Sequence, residues 1–245
     1  HHHRTEMIRL LLLSNSTMPG GQYLAWPKDE LIAFLGDPKK IAFVPFAGVK
    51  LDHGTYTDMV ARALREHGHE VIGLHATKDP VAALAGCDVV AVGGGNSFQL
   101  LRMLYRTGLV KAIPEKVKRG MPYIGWSAGA NVACPTIMTT NDMPIVEPPS
   151  MRAMHLVPFQ INPHYTEATI AGHGGESRDQ RIAEFLEMDP RVTVAGLREG
   201  ALLRIEGRET RLVGAGMRLF RHGSEPLDVE GGQALRPDLR PVDKS

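Results

Sequence analysis

Apolar residues fall along the first half of the chain in short unbroken runs separated by amphipathic stretches. Residues 8–14, 41–45, 71–74, 88–92 and 123–126 carry such runs, with Arg9, Ser14 and Asp88 at their margins and polar or Gly/Pro turns between them. Continuous apolar runs of this length predict strands buried on both faces, as in a parallel sheet. Between them, Lys28–Leu35 predicts a short helix closed by Gly36 and Pro38. Residues 55–67 place Met59, Val60, Ala63 and Leu64 on one helical face, with Gly68 as the stop. Pro80–Ala85 predicts another short helix, Phe98, Leu101, Leu104 and Tyr105 line a further helix face, and 110–118 continues as helix or turn. Strands alternating with helices predict an α/β fold, a mostly parallel sheet covered by helices on both faces.

Past residue 133 the rhythm loosens. Residues 134–150 are proline-rich and predict a long loop, and 155–161 predict a strand ended by Asn162-Pro163-His164. Ser177-Arg178-Asp179-Gln180 is a capping-box pattern opening a helix through Leu186, with Ile182, Phe185 and Leu186 inward. Residues 192–197 predict a strand. Residues 201–205, 210–213 and 217–220 are short and divided by Gly or charged turns, which predicts a small C-terminal antiparallel extension. Residues 1–6, beginning His1-His2-His3, read as a tag remnant, 7–234 as a single domain, and 235–245 as a mobile tail.

Composition narrows the function classes. The chain has 245 residues, 43% hydrophobic, with a formal net charge of +1, so it lacks the basic footprint of a nucleic-acid or membrane-surface binder. No apolar run reaches the ~18 residues of a membrane-spanning helix. The two cysteines, Cys87 and Cys134, have neither metal nor redox spacing and read as free thiols of a cytoplasmic protein. No His/Asp/Glu cluster has ligand spacing, and no metal or organic cofactor is expected.

The chemistry concentrates at Tyr123-Ile124-Gly125-Trp126-Ser127-Ala128-Gly129-Ala130-Asn131, a G-x-S-x-G turn with a strand before it and small residues after it. A serine on a sharp strand-to-helix turn needs small neighbours two positions away, and the following amides point at a developing oxyanion. The alternative use of such a segment is a tight connection without chemistry. A serine nucleophile needs a base and an orienting acid. Among the histidines, His164 stands out by following Pro163 in a restrained segment; His67, His69 and His222 read as solvated surface, and His53, His75, His155 and His173 have no distinguishing context. For the acid, Asp142 and Glu199 are both candidates. The Gly93-Gly94-Gly95 turn after a strand has three possible uses: a tight connection, an anion-binding loop, or a backbone N–H for the oxyanion beside that of Ala128. It lacks the Lys-Ser/Thr of a P-loop. The interval of only 37 positions from Ser127 to His164 does not suit an ordinary α/β-hydrolase.

Four segments in order resemble the peptidase E family of α-aspartyl dipeptidases: residues 92–101, 123–131, 139–146 and 160–164. The resemblance extends from about residue 7 to about residue 220. It implies a class I glutamine amidotransferase-like, flavodoxin-like fold and cleavage of dipeptides with an N-terminal aspartate. It further implies Ser127 as nucleophile, His164 as base, Gly95 and Ala128 as oxyanion donors, and either Asp142 or Glu199 as third member. Substrate contacts are expected at Asn96 and at Arg178, whose guanidinium suits a short carboxylate, with Arg181 as the alternative. The Gly172-His173-Gly174-Gly175 stretch is expected to close over a small substrate. The expected partner is the dipeptide alone, with oligomeric state left open. Two other readings remain: a cyanophycinase-like exopeptidase on β-aspartyl dipeptides, and a non-catalytic anion or nucleotide binder of the same fold.

Overall fold

The computed structural model describes residues 7–168 and 176–242. The amphipathic rhythm of the first half becomes a βα succession: β1 (Arg9–Leu13), α1 (Lys28–Leu35), β2 (Lys40–Val44), α2 (His53–Arg65), β3 (Glu70–Gly73), α3 (Pro80–Ala85), β4 (Val89–Val92), α4 (Ser97–Thr107), α5 (Leu109–Lys118), β5 (Tyr123–Trp126) and α6 (Ala128–Asn131). After a long irregular connection come β6 (Gln160–Tyr165), α7 (Arg178–Met188), β7 (Val194–Arg198), β8 (Ala201–Glu206), β9 (Glu209–Gly214), β10 (Met217–Phe220), β11 (Leu227–Val229) and β12 (Ala234–Leu235).

The main sheet has eight strands in the order β12-β9-β8-β1-β5-β4-β2-β3. Strands β1 to β5 pair in parallel, and β8 joins β1 antiparallel, continued by β9 and β12. Alternate residues of β1 divide the core. Leu10 and Leu12 face a cluster with Leu100, Leu101 and Leu104 of α4 and Ile113 and Val117 of α5. Leu11 and Leu13 face Leu31, Phe34 and Leu35 of α1 and Val60 and Leu64 of α2. Both faces of the sheet are therefore apolar, which is why its strands read as unbroken apolar runs.

Three expectations need correction. The expected meander divides: β8 and β9 extend the main sheet, while β10 leaves it for a second, four-stranded sheet ordered β11-β10-β7-β6. The strand expected at 155–161 starts at Gln160 and runs through Asn162, Pro163 and His164 to Tyr165. Proline survives there because β6 is an edge strand with a register shift between Asn162 and Tyr165, so no ladder bond needs its missing N–H. His69, expected on the solvated surface, is buried, and its Nδ1 accepts the N–H of Lys39 at 3.0 Å.

Within the segment expected to be a tail, Leu235 and Leu239 are buried in the larger core cluster and Leu235 bridges Pro241. The capping box of α7 forms as expected, the Ser177 hydroxyl accepting from Gln180 N–H and the Gln180 side chain accepting from Ser177 N–H. No helix among the described residues is long and apolar enough to cross a membrane.

Candidate active site

Ser127 lies between β5 and α6 at φ 57°, ψ −116°, a conformation that L-residues avoid. Packing holds it there. A Cβ on Gly125 or Gly129 would run into the backbone of Gly129 or Val92, so both positions admit only hydrogen. The Ser127 N–H donates to the Leu13 carbonyl at 3.0 Å, and its own carbonyl accepts from Ala130 and Asn131, closing the turn. The helix after it has a single turn, Ala128–Asn131. The field here is that of a few oriented amides rather than a long helix dipole.

The Ser127 Oγ lies 2.7 Å from His164 Nε2. His164 is also at positive φ, 55°, where the β6 irregularity turns its ring out of the strand. Two contacts hold its backbone. Its N–H donates to Ser14 Oγ at 2.8 Å, and that hydroxyl donates to the Leu197 carbonyl at 2.7 Å. Arg178, half-buried at the start of α7, donates from Nη1 to the Pro163 carbonyl at 3.1 Å and to the His164 carbonyl. Burial pulls the Arg178 guanidinium below its ordinary pKa, opposed by Glu199.

The two candidate carboxylates are in different places. Glu199 Oε1 lies 3.6 Å from His164 Nδ1, an ion-pair distance and longer than a hydrogen bond. Its Oε2 accepts from Asn15 Nδ2 at 3.2 Å, and Asn15 Oδ1 accepts the Gly200 N–H at 2.9 Å. Asp142 points elsewhere. Its Oδ2 accepts the Ser97 N–H at 2.8 Å and the Ser97 hydroxyl at 2.7 Å, tying the 139–146 loop to the start of α4.

Asn96, expected to touch substrate, is the N-cap of α4. Its Oδ1 accepts from Phe98 and Gln99 N–H, and its Nδ2 donates to the Met143 carbonyl at 2.9 Å. Both ends of the amide are thus used within the protein. Arg181 lies one helical turn from Arg178 on the rim, 3.9 Å from Glu176. His173 and the Gly172-His173-Gly174-Gly175 stretch lie outside the described residues.

The glycine turn after β4 has a separate reason at each position. A Cβ on Gly93 would occupy the place of the Tyr56 hydroxyl; one on Gly94 would stand 2.7 Å from the Ser127 Cβ. Gly95 has φ 146° and its backbone packs on the Ala47 carbonyl. Gly94, Gly95, Ser127 and His164 line one cavity of about 320 Å³ with Tyr23, Tyr56, Trp126 and the 48–51 loop. A second cavity, of about 560 Å³, holds Arg178, Arg181, Asn162 and the 138–141 segment. Sequence reading missed Asn15 and Ser14, polar residues buried at the end of an apolar strand. Their signal was their type: a buried side chain of this kind has a partner.

A hydroxyl at a strained turn, an imidazole on it and a carboxylate behind that imidazole are the parts that acyl-transfer chemistry uses. They sit beyond the carboxyl ends of β1, β4 and β5, where α/β sheets carry their sites. This defines the class as an α/β protein with a polar constellation at its sheet edge. Within that class, the chain belongs to peptidase family S51, whose profile matches residues 10–213. Proteins named peptidase E are similar over almost their full length. That of Nostoc sp. is 48% identical over 219 residues, covering 89% of this chain and 90% of the relative. That of Streptomyces coelicolor is 50% identical, covering 93% of each. Among solved structures, a Listeria monocytogenes EGD-e protein provisionally described as peptidase E is similar, with TM-score 0.63 and 26% identity over 85% of this chain and 98% of that one. A peptidase from an acI-B1 Actinobacterium shares the fold, with TM-score 0.69, 17% identity, and 95% and 98% coverage.

Proposed function

We propose that this member of a peptidase family is a serine dipeptidase that hydrolyses Asp-Xaa dipeptides through an acyl-enzyme. The observation that carries the reading is the 2.7 Å contact between Ser127 Oγ and His164 Nε2 at a turn held in a strained conformation. His164 takes the hydroxyl proton as Ser127 attacks the peptide carbonyl. The N–H groups of Gly95 and Ala128 stabilise the tetrahedral oxyanion. The imidazolium then protonates the leaving amine, and water repeats the sequence on the ester. Glu199 is the acid that orients His164. Its 3.6 Å separation suits a pair that tightens when substrate excludes water.

Arg178 is the reader of the aspartate side chain. The two hydrogens of its Nη1 are engaged by the carbonyls of Pro163 and His164. That leaves the Nε–Nη2 edge, two parallel donors suited to a carboxylate. Because Arg178 also holds the His164 backbone, Arg178→Met lowers kcat/KM on every substrate. The loss on Asp-Leu exceeds that on Asn-Leu by roughly tenfold or more, the signature of a charge left unpaired. Equal losses on the two would remove Arg178 from specificity. The reaction itself is tested by incubating the protein with Asp-Leu and with β-Asp-Arg. Cleavage of the first alone supports the assignment, and cleavage of the second alone assigns a β-aspartyl exopeptidase instead.

A further inference from the structure

Behind Ser127 lies a chain of hydrogen bonds with no part in the proton transfers above. Trp126 Nε1–H donates to the Tyr23 hydroxyl at 2.9 Å and, as a shared bond, to the Tyr56 hydroxyl at 3.2 Å. The Tyr23 hydroxyl donates to that of Tyr56 at 3.2 Å, and the Tyr56 hydroxyl donates to the Gly94 carbonyl at 2.9 Å. Every hydroxyl proton runs in one direction, toward Gly94. The Gly94 carbonyl and the Gly95 N–H belong to one peptide unit, and in a trans peptide they point opposite ways.

We infer that Tyr56 is a positioning residue for the oxyanion site: by holding the Gly94 carbonyl, it aims the Gly95 N–H at the oxygen that becomes negative during attack by Ser127. The inference deepens the reading of Ser127 as nucleophile and rests on it.

Three observations support it. First, backbone bonds fix the Val92–Gly93 peptide, whose N–H donates to the Val44 carbonyl at 3.2 Å, and the Gly95–Asn96 peptide, whose N–H donates to the Ala47 carbonyl at 2.8 Å. Of the two all-glycine units between them, Gly94–Gly95, which neither residue's side chain can restrain, has Tyr56 as its anchor. Second, the chain opposite Tyr56 makes room for it: a Cβ at Gly93 would take the place of its hydroxyl. Third, the ring is buried and set edge-on to Phe43 at 5.0 Å between centroids. Burial also raises the phenol's pKa, so it stays protonated and remains a donor at any working pH. Donation to a carbonyl polarises its amide, so each link in such a chain strengthens the next, and the last N–H is a better donor to an anion.

The test is Tyr56→Phe, which keeps the ring and its packing and removes only the hydroxyl. Tyr23→Phe, one link further back, serves as the second variant. Two readouts are used: steady-state hydrolysis of Asp-Leu, and the rate at which a fluorophosphonate labels Ser127, since the tetrahedral phosphonyl adduct also places an oxygen in the oxyanion site. Tyr56→Phe is expected to lower kcat by roughly 10–100-fold with KM changed less than about threefold. This is less than the ~10²–10³ lost when a donor is deleted outright, because the N–H remains and only its aim is loosened. Labelling slows in proportion. Tyr23→Phe gives a smaller loss of the same kind, and alone decides the matter if Tyr56→Phe does not fold. A folded Tyr56→Phe with kcat and labelling within twofold of wild type overturns the inference, as does a loss confined to KM. If the wild type labels at Ser127 but cleaves no Asp-Leu, the substrate assignment fails, and the labelling rates still judge Tyr56. If Ser127 takes no label, the nucleophile fails and this inference with it.

Discussion

Ser127 and His164 both have positive φ, at 57° and 55°. Such conformations cost about 1–3 kcal/mol each for residues with side chains, and the surrounding structure must impose them. At Ser127 the imposing groups are the hydrogen-only positions Gly125 and Gly129; at His164 they are Ser14 and Arg178. Ser127→Ala is therefore expected to keep the fold, with an unchanged thermal midpoint, while turnover of Asp-Leu falls by about 10⁴–10⁶. Turnover within tenfold of wild type would end the assignment. The two carboxylates separate by the same kind of test. Glu199→Gln is expected to reduce kcat by roughly 10²–10⁴ through the orientation of His164. Asp142→Ala leaves the buried Ser97 N–H without its acceptor and so costs about 1–3 kcal/mol of stability, read as a lower denaturation midpoint. If Asp142→Asn, which retains an acceptor oxygen, is the more damaging to kcat, the roles are reversed.

At the scale of elements, β6 carries His164 to the site because it is an irregular edge strand. A regular strand would alternate its side chains and could not present Pro163 and a left-handed histidine in succession. The edge of β2 and β3 has a different dependence, on protonation. His69 must keep Nδ1 unprotonated to accept the Lys39 N–H, and burial, with His67 and Lys39 nearby, lowers its pKa. The unfolded chain therefore binds a proton at a higher pH than the folded one. Stability from this site is flat above about pH 6.5 and declines as pH falls toward the folded value. His69→Asn supplies a carbonyl oxygen in place of Nδ1 and does not titrate. It is expected to lessen the loss of thermal midpoint between pH 7 and pH 5; an unchanged slope would show that His69 has no share in it.

For the whole molecule, the C-terminal region closes the main sheet. Strand β12 caps β9, and Leu235 and Leu239 add to the same core as α4 and α5. Removing residues 234–245 exposes that edge and withdraws two leucines worth about 1.5–3 kcal/mol each. A clear drop in the thermal midpoint is expected, and an unaltered midpoint would show that this region contributes nothing to the core. The site is likewise a property of the whole. Asn15, Gly95, Ser127 and Glu199 come from four separate connections and His164 from strand β6, and Ser14 reaches His164 across 150 positions of sequence.

The local order of this protein is written in its sequence. The βα succession follows from apolar runs and amphipathic periods, the α7 cap from Ser177 and Gln180, and the tight turn at Ser127 from glycines two residues to either side, because each depends on neighbours a few positions apart. The flanking glycines also singled out Ser127, and the preceding Pro163 singled out His164, and the structure brings the two side chains together. Tertiary structure alone decided that Glu199 faces His164 while Asp142 holds Ser97, that the Asn96 amide donates to the Met143 carbonyl, and that Arg178 grips the carbonyls beside His164. It also decided that β10 leaves the meander for a second sheet and that Tyr56 reaches Gly94. The physical reason is common to all of these. Each is a contact between segments far apart in the chain, set by strand order and register, and a side chain's partner across a sheet leaves no mark in the residues that flank it.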